Sequence, residues 1–414
     1  MKALQYRLSL PRIMITRLLA GRYPRLAVRL TSPIRLTALP EPDLRGPDWA
    51  KIAPRLAGIC GTDTALLTAS SSPSASPFNS FPAVPGHEIL GYITESGSGV
   101  SYPPGTRVVV DPAISCRVRG LAPPCPACSQ GRPYLCRQAA GGDLSAGMIT
   151  GFCRDLPGGW GESLIAHKDQ IFPVPDGLTD ERAVLTEPLA VSLHAILRRP
   201  PAAGDRVAVL GAGTIGLCTV AALRLLDFRG HITLTARYPF QAELGRRLGA
   251  DEILSGRGDS LLTAAAAGTT RAGTGGSLHQ PIIGRRVLRG GFDITYDCVG
   301  SRSSLDDGLR VTTEGGSLVL LGGAGEVGGL DWTFIWLREL SVIGTVGYGL
   351  EHWQDRSFHT FTRVLELLQQ RPDVPVEQMV THRYPLTAYR AALAAALDRG
   401  RSEAVKVVFE LQHF

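Results

Sequence analysis

Residues 207–226 read VAVLGAGTIGLCTVAALRLL. Val207, Ala208, Val209 and Leu210 form an unbroken apolar run, the texture of a strand buried on both faces. Gly211-Ala212-Gly213-Thr214-Ile215-Gly216 then punctuates it, and the apolar residues resume at helical rather than alternating spacing. A GxGxxG pattern alone is a weak signal. Between a strand and a helix it is a strong one, because each glycine has a task. Gly211 makes the turn, Gly213 lets backbone approach a pyrophosphate, and Gly216 lets helix and strand pack closely, with the helix N-terminus facing the phosphates. Candidate dinucleotide contacts are therefore Gly211, Gly213, Thr214, Ile215 and Gly216. The competing reading is a glycine turn that binds nothing.

Downstream the same alternation continues. HITLTAR (231–237) reads as a second strand, PFQAELGRRLGA (239–250) as a helix, and DEIL (251–254) opens a third unit. Residues 256–289, rich in Gly and Ala, read as one helix plus a loop. FDITYDCVG (292–300) and GSLVLLGG (316–323) read as buried strands. Strands alternating with helices predict an α/β fold with a doubly wound parallel sheet covered on both faces. The acidic residue expected at the end of the second strand, about 20 residues past the glycine turn, would hold a ribose 2′-hydroxyl. Ala236 stands there, followed by Arg237 and Tyr238. With no carboxylate to repel a 2′-phosphate and a guanidinium to pair with it, NADP(H) is the expected cofactor, and NAD(H) with a solvated Arg237 the alternative.

Upstream the texture differs. Residues 83–175 hold short β-like runs split by Gly and Pro, an all-β reading. Into them is set SCRVRGLAPPCPACSQGRPYLC (115–136). Cys116, Cys125, Cys128 and Cys136, with a CxxC core, suit a tetrahedral Zn²⁺ site; two disulfides or loose thiols are the alternatives. All four positions would be protein ligands, so such a site is structural. Residues 180–199 (DERAVLTEPLAVSLHAILRR) read as one helix. After about 345 come helical pieces and a last strand, AVKVVFEL (404–411), read as returning to the first domain. Residues 1–8 look like a strand, 11–30 like an irregular or helical insertion, and 68–80 (TASSSPSASPFNS) like a Ser/Pro-rich loop.

The 414 residues carry 43 Lys+Arg against 37 Asp+Glu, a net charge of +6. Residues 1–40 hold Lys2, Arg7, Arg12, Arg17, Arg22, Arg25, Arg29 and Arg35 and no acid, which leaves the remainder slightly acidic. This basic arm has three readings: contact with nucleic acid or an anionic membrane surface, packing on a partner subunit, or a solvated segment. No aromatic interleaving or nucleic-acid motif accompanies it. No apolar run reaches the roughly 18–20 residues of a membrane helix, arginines interrupt every apolar stretch near the start, and clustered cysteines fit a reducing cytoplasm.

Five motifs stand in one order: GICGTD (58–63), PGHE (85–88), the cysteine lobe, TEPLAVSLHA (186–195) and GAGTIG (211–216). In this order the chain resembles the zinc-dependent medium-chain dehydrogenases, in style the polyol, threonine and glucose dehydrogenase branches. The resemblance covers nearly the whole chain. It implies a GroES-like β-rich catalytic domain over 1–188 and 346–414, a Rossmann domain over 189–345, and a cleft between them. It further implies a catalytic Zn²⁺ on Cys60 and His87. Glu88 and Glu187 would be the carboxylates that ligate or exchange with water. Asp63 would orient His87, and Thr62 would pass a proton between alkoxide and cofactor ribose. Two zincs per chain, an alcohol or carbonyl substrate and a homodimer or homotetramer are then expected. An NAD-dependent polyol or threonine-type enzyme and a zinc-independent enone or quinone reductase are the alternative activities; intact Cys60, His87 and Glu88 argue against the last.

The chain departs from the family at three places. The family spaces its lobe cysteines three, three and eight apart, which puts the first position at Ala122; Cys116 lies six residues earlier. The relay histidine often found five residues after the ligand cysteine is Ala65. The insertion at 10–30 and the loop at 68–80 are long.

Overall fold

The computed structural model describes residues 1–256, 258–271, 276–323 and 325–411. They form two compact units, Met1–Glu187 with Tyr348–Gln369 and Met379–Phe414, and Pro188–Gly347 with Gln370–Gln378.

The first unit is built on a seven-stranded sheet. Its strand order is Val380–Pro385, Lys406–Glu410, Trp49–Gly58, Ile89–Ser96, Arg107–Val110 and Ile171–Pro173, with Leu164–His167 also pairing to Trp49–Gly58. Val380–Pro385 and Lys406–Glu410 pair in parallel, and the other ladders are antiparallel. Alternation aims Ile52, Ile93, Val108, Val110, Leu164 and Ile171 into one core. A second core joins the N-terminal strand to the returning tail: Leu4 and Tyr6 pack with Trp160, Leu393 and Phe409. The segment 11–30 forms two helices, Leu10–Ala20 and Pro24–Leu30, carried between the paired strands Lys2–Tyr6 and Ile34–Ala38. The Ser/Pro loop contains a 3₁₀ turn, Pro73–Phe78, with the Ser72 hydroxyl accepting from the Ser74 N–H.

The second unit is an all-parallel six-stranded sheet in the order Glu252–Leu254, Ile232–Thr235, Val207–Leu210, Phe292–Asp297, Thr312–Leu320, Ser341–Gly344. The strand Val207–Leu210 lies at its middle, and none of its side chains is more than 2% exposed. The order reverses beside it, which is where an open α/β sheet makes its binding crevice.

Three stretches differ from the sequence reading. The single helix over 180–199 is two, Asp180–Ala183 and Thr186–Arg198. Pro188 lacks the N–H that a helix interior needs and fits only in a first turn, so a helix starts just before it. Residues 277–279 and 287–289 pair as an antiparallel ribbon rather than a loop. Leu350–Trp353 and Arg356–His359 form another, ahead of the helical pieces in a stretch where no strand was expected. Strands of three or four residues are too short to show a period-two pattern.

Candidate functional site

The strand Trp49–Gly58 delivers Cys60 to the start of helix Gly61–Leu67. There the Cys60 N–H donates to Asp63 Oδ2 at 2.9 Å, and Asp63 is fully buried. Carboxylate and cap hold each other, which fixes where the thiol points. Thr62, exposed on the first turn, places its hydroxyl 3.8 Å from Cys60 Sγ.

His87 and Glu88 precede the strand Ile89–Ser96. Gly86 before them has φ +95°, and a Cβ there would lie 2.3 Å from Trp160 Cδ1. Only glycine makes that turn against an indole whose Nε1–H donates to Gly58 O at 3.0 Å. His87 is 4% exposed, with Nδ1 3.6 Å from Asp63 Oδ1. Neither of these two atoms has a hydrogen-bond partner, an orphaned pair. Burial opposes a charged imidazole, yet Asp63 and Cys60 together hold the His87 pKa well above its usual value.

Glu88 is 1% exposed, and both its oxygens lie 2.6 Å from Lys406 Nζ. Glu187 opens helix Thr186–Arg198 and accepts from Tyr348 Oη at 3.2 Å. Burial pushes its carboxyl up to about 7, with the Glu88 charge adding and His87 and Lys406 opposing. The Tyr134 and Tyr348 rings meet with centroids 4.9 Å apart, and the buried Tyr134 hydroxyl has no partner.

A half-buried thiol with a buried imidazole and a buried carboxylate suits zinc by donor type. Their spacing is wider than a closed cage. Among the described residues, the four lobe cysteines are the one group of three or more donors all within 4.8 Å of one another. The Lys406 clamp gives part of the reason, because it satisfies Glu88 from behind. Lys406, Tyr348 and Tyr134 were not singled out in the sequence. A lysine inside the apolar strand AVKVVFEL was the available signal, since a buried ammonium needs a buried carboxylate.

In the lobe, Cys116 does join Cys125, Cys128 and Cys136. Backbone amides aim at the sulfurs: Cys116 N to Cys128 Sγ at 3.4 Å, Cys125 N to Cys116 Sγ at 3.3 Å, Arg137 N to Cys125 Sγ at 3.5 Å and Gln138 N to Cys136 Sγ at 3.4 Å. Although burial opposes ionisation, hydrogen bonds from the Cys128 and Arg137 amides, with the Cys116 and Cys128 thiols, bring the Cys125 pKa down to about 6. The longer spacing is accommodated by fully buried Arg119, which donates to the carbonyls of Ala139, Gly141, Leu144, Ser145 and Gly147. It ties the added loop to the segment after Cys136.

In the second unit, Gly211 has φ +94°, and its N–H donates to Thr235 Oγ1 at 2.8 Å. A Cβ on Gly216 would lie 1.7 Å from Gly211 O. Gly213 caps the helix Thr214–Leu225, leaving first-turn N–H groups for an anion. Ala236 is 5% exposed, whereas Arg237 is exposed, its guanidinium 5.4 Å from the Tyr238 ring centroid. The loop fits a pyrophosphate.

Comparison with known proteins agrees with this fold. Residues 46–176 match the alcohol dehydrogenase GroES-like domain, and residues 214–370 match the zinc-binding dehydrogenase domain. The chain is 27% identical to a sorbitol dehydrogenase of Arabidopsis thaliana, over 88% of this chain and 89% of that one. It is 28% identical to an L-threonine 3-dehydrogenase of Chelativorans sp. (strain BNC1), over 90% and 94%. A zinc-binding dehydrogenase of Sinorhizobium meliloti 1021, solved bound to NADP, superposes with a TM-score of 0.68 at 27% identity, covering 91% of this chain and 95% of that one. Both halves are thus matched, the first as a GroES-like domain and the second as the Rossmann partner, and the chain is an NAD(P)-dependent oxidoreductase. The chain belongs to the zinc-type medium-chain dehydrogenase/reductase family.

Proposed function

We propose that this protein is a zinc-dependent, NADP(H)-preferring dehydrogenase of polyols or related secondary alcohols. One zinc would sit on Cys60, His87 and Glu187, and a second on Cys116, Cys125, Cys128 and Cys136. The observation that carries the reading is half-buried Cys60 tied to buried Asp63, which faces buried His87, beside Glu187. When bound, zinc would polarise the alcohol or carbonyl oxygen and the nicotinamide would exchange the hydride. Asp63 Oδ1 faces His87 Nδ1 at 3.6 Å and would orient the ring through that second nitrogen. Thr62 carries the hydroxyl placed to hand on the alcohol proton. Glu88, neutralised by Lys406, supports the site from behind. The Tyr348 and Tyr134 hydroxyls make this region polar, which suits a substrate with several hydroxyls. Sorbitol and threonine dehydrogenase relatives support the same class. Arg237 supports NADP(H). We place the domains at 1–188 with 346–414 and at 189–345, expect a homo-oligomer, and take eight free thiols as support for a reducing, cytoplasmic setting.

The test joins metal analysis to turnover. Zinc is counted per chain, and sorbitol, threonine and a plain secondary alcohol are assayed with NADP⁺ and NAD⁺. Two zincs and polyol oxidation with NADP⁺ are expected. One zinc, or turnover surviving its complete removal, would sink the catalytic assignment.

A further inference from the structure

The arm of residues 1–40 holds a face that the dehydrogenase chemistry does not use. At about 100° per residue, helix Leu10–Ala20 lines up Leu10, Met14 and Leu18, with Pro11 and Ile15 beside them. A helix of a water-soluble domain turns such a stripe inward. This one turns it outward: Leu10 is 69% exposed, Met14 66%, Ile15 48% and Leu18 82%. The opposite side is the one that is fixed. Thr16 is fully buried and shares a 2.7 Å hydrogen bond with Thr31. Arg17 borders the apolar stripe on one side and Arg12 on the other, both exposed. Tyr23, 52% exposed, and Leu30, 58% exposed, add to the apolar surface, with Arg22 and Arg29 next to them. Among the described residues, Arg25 is the one cation of the arm in an ion pair, with Asp398 at 2.9 Å.

We propose that this face docks the enzyme on an anionic lipid bilayer, the leucines and Met14 entering the headgroup region while the arginines meet lipid phosphates. Charge decides among the occupants. The arm has eight cations and no acid, so two copies placed face to face would set like charges against each other. An anionic bilayer supplies both the apolar layer and the countercharge. An 11-residue helix is too short to span a membrane, and no helix among the described residues is long and apolar enough to do so. The contact is therefore in the plane of the surface.

The experiment is co-sedimentation of the full-length enzyme with two sets of vesicles: phosphatidylcholine alone, and phosphatidylcholine with about one-third phosphatidylglycerol. Binding to the anionic vesicles alone, released by high salt, is expected. Arg12→Gln/Arg17→Gln should weaken it by about fivefold per arginine. Met14→Glu/Leu18→Glu should weaken it more than about tenfold, with kcat/KM on a soluble substrate unchanged. Should the glutamate variant not fold, the exposed arginine pair still tests the claim. Absence of binding to anionic vesicles at low salt overturns the proposal, as does equal binding to both vesicle types. So does an unbound enzyme whose oligomer dissociates in Met14→Glu/Leu18→Glu, because the face is then a subunit contact.

Discussion

Lys406 Nζ stands 2.6 Å from each carboxylate oxygen of Glu88, and neither side chain is more than 2% exposed. The pair links the last strand of the sheet, Lys406–Glu410, to the turn that carries His87. The space is tight, since a Cβ on Gly58 would lie 1.7 Å from Glu88 Oε2. Removing one partner strands a buried charge. Lys406→Met should therefore cost about 3–5 kcal/mol of stability, and Lys406→Met with Glu88→Leu should recover most of it. Urea unfolding in a double-mutant cycle measures the coupling. Additive losses would mean that the pair contributes by packing alone.

The lobe predicts a separation of stability from chemistry. Cys128→Ser should remove one zinc per chain and lower the unfolding temperature, because ligand binding there is folding free energy. Turnover measured well below that temperature should persist. A variant that retains full metal content would show that the sulfurs, though within 4.8 Å of one another, are not ligands.

His87→Ala should abolish turnover and leave cofactor binding, followed by nicotinamide fluorescence, largely intact. Asp63→Asn should be milder. It keeps the shape but weakens the hold on the His87 ring, and losses of about 10- to 100-fold in activity or zinc affinity are typical for such a partner. Equal loss of cofactor binding in both variants would point to collapse of the fold instead.

The parts of this protein legible in its sequence are those written in short, contiguous signals. Val207–Gly216 declared strand, turn and helix because the glycines have separate steric tasks, and the structure shows the turn at Gly211 and the close packing at Gly216. Cys125, Cys128 and Cys136 were readable from spacing, whereas Cys116 depended on a loop whose course is set by buried Arg119, a long-range effect. Lys406 and Tyr348 were missed because their partners, Glu88 and Glu187, lie 318 and 161 residues away in the chain. The two ribbons in the Gly/Ala-rich and tail segments were missed because their strands are too short for periodicity to show.

Tyr6 gives a prediction about pH. It packs 5.0 Å from Phe81 between ring centroids and is 1% exposed; burial raises its pKa from 10.0 to about 12. The folded state therefore favours the neutral phenol. The stability this contributes is complete below pH 10 and is lost as pH rises through about 12. Tyr6→Phe should resemble the parent at neutral pH and, by pH 12, be more stable by about 1–3 kcal/mol. Thermal unfolding across that range checks it, and parallel curves for the two proteins would refute it.

Arg237 bears on the cofactor. It follows directly on Ala236 at the end of strand Ile232–Thr235, lies exposed, and stacks its guanidinium on Tyr238 at 5.4 Å. Stacking limits its freedom before any ligand arrives, so less entropy is lost when it pairs with a phosphate. Ala236, only 5% exposed, offers no carboxylate to a free ribose hydroxyl. A charged fork on a 2′-phosphate would contribute about 1.5–3 kcal/mol, so the expected preference for NADP⁺ over NAD⁺ is roughly ten- to a hundredfold. The paired change Ala236→Asp with Arg237→Leu should reverse it, by supplying the acceptor and removing the cation together. Steady-state kinetics with both cofactors decides the matter, since equal kcat/KM for the two in the unmutated enzyme would make Arg237 a solvated side chain with no part in selection.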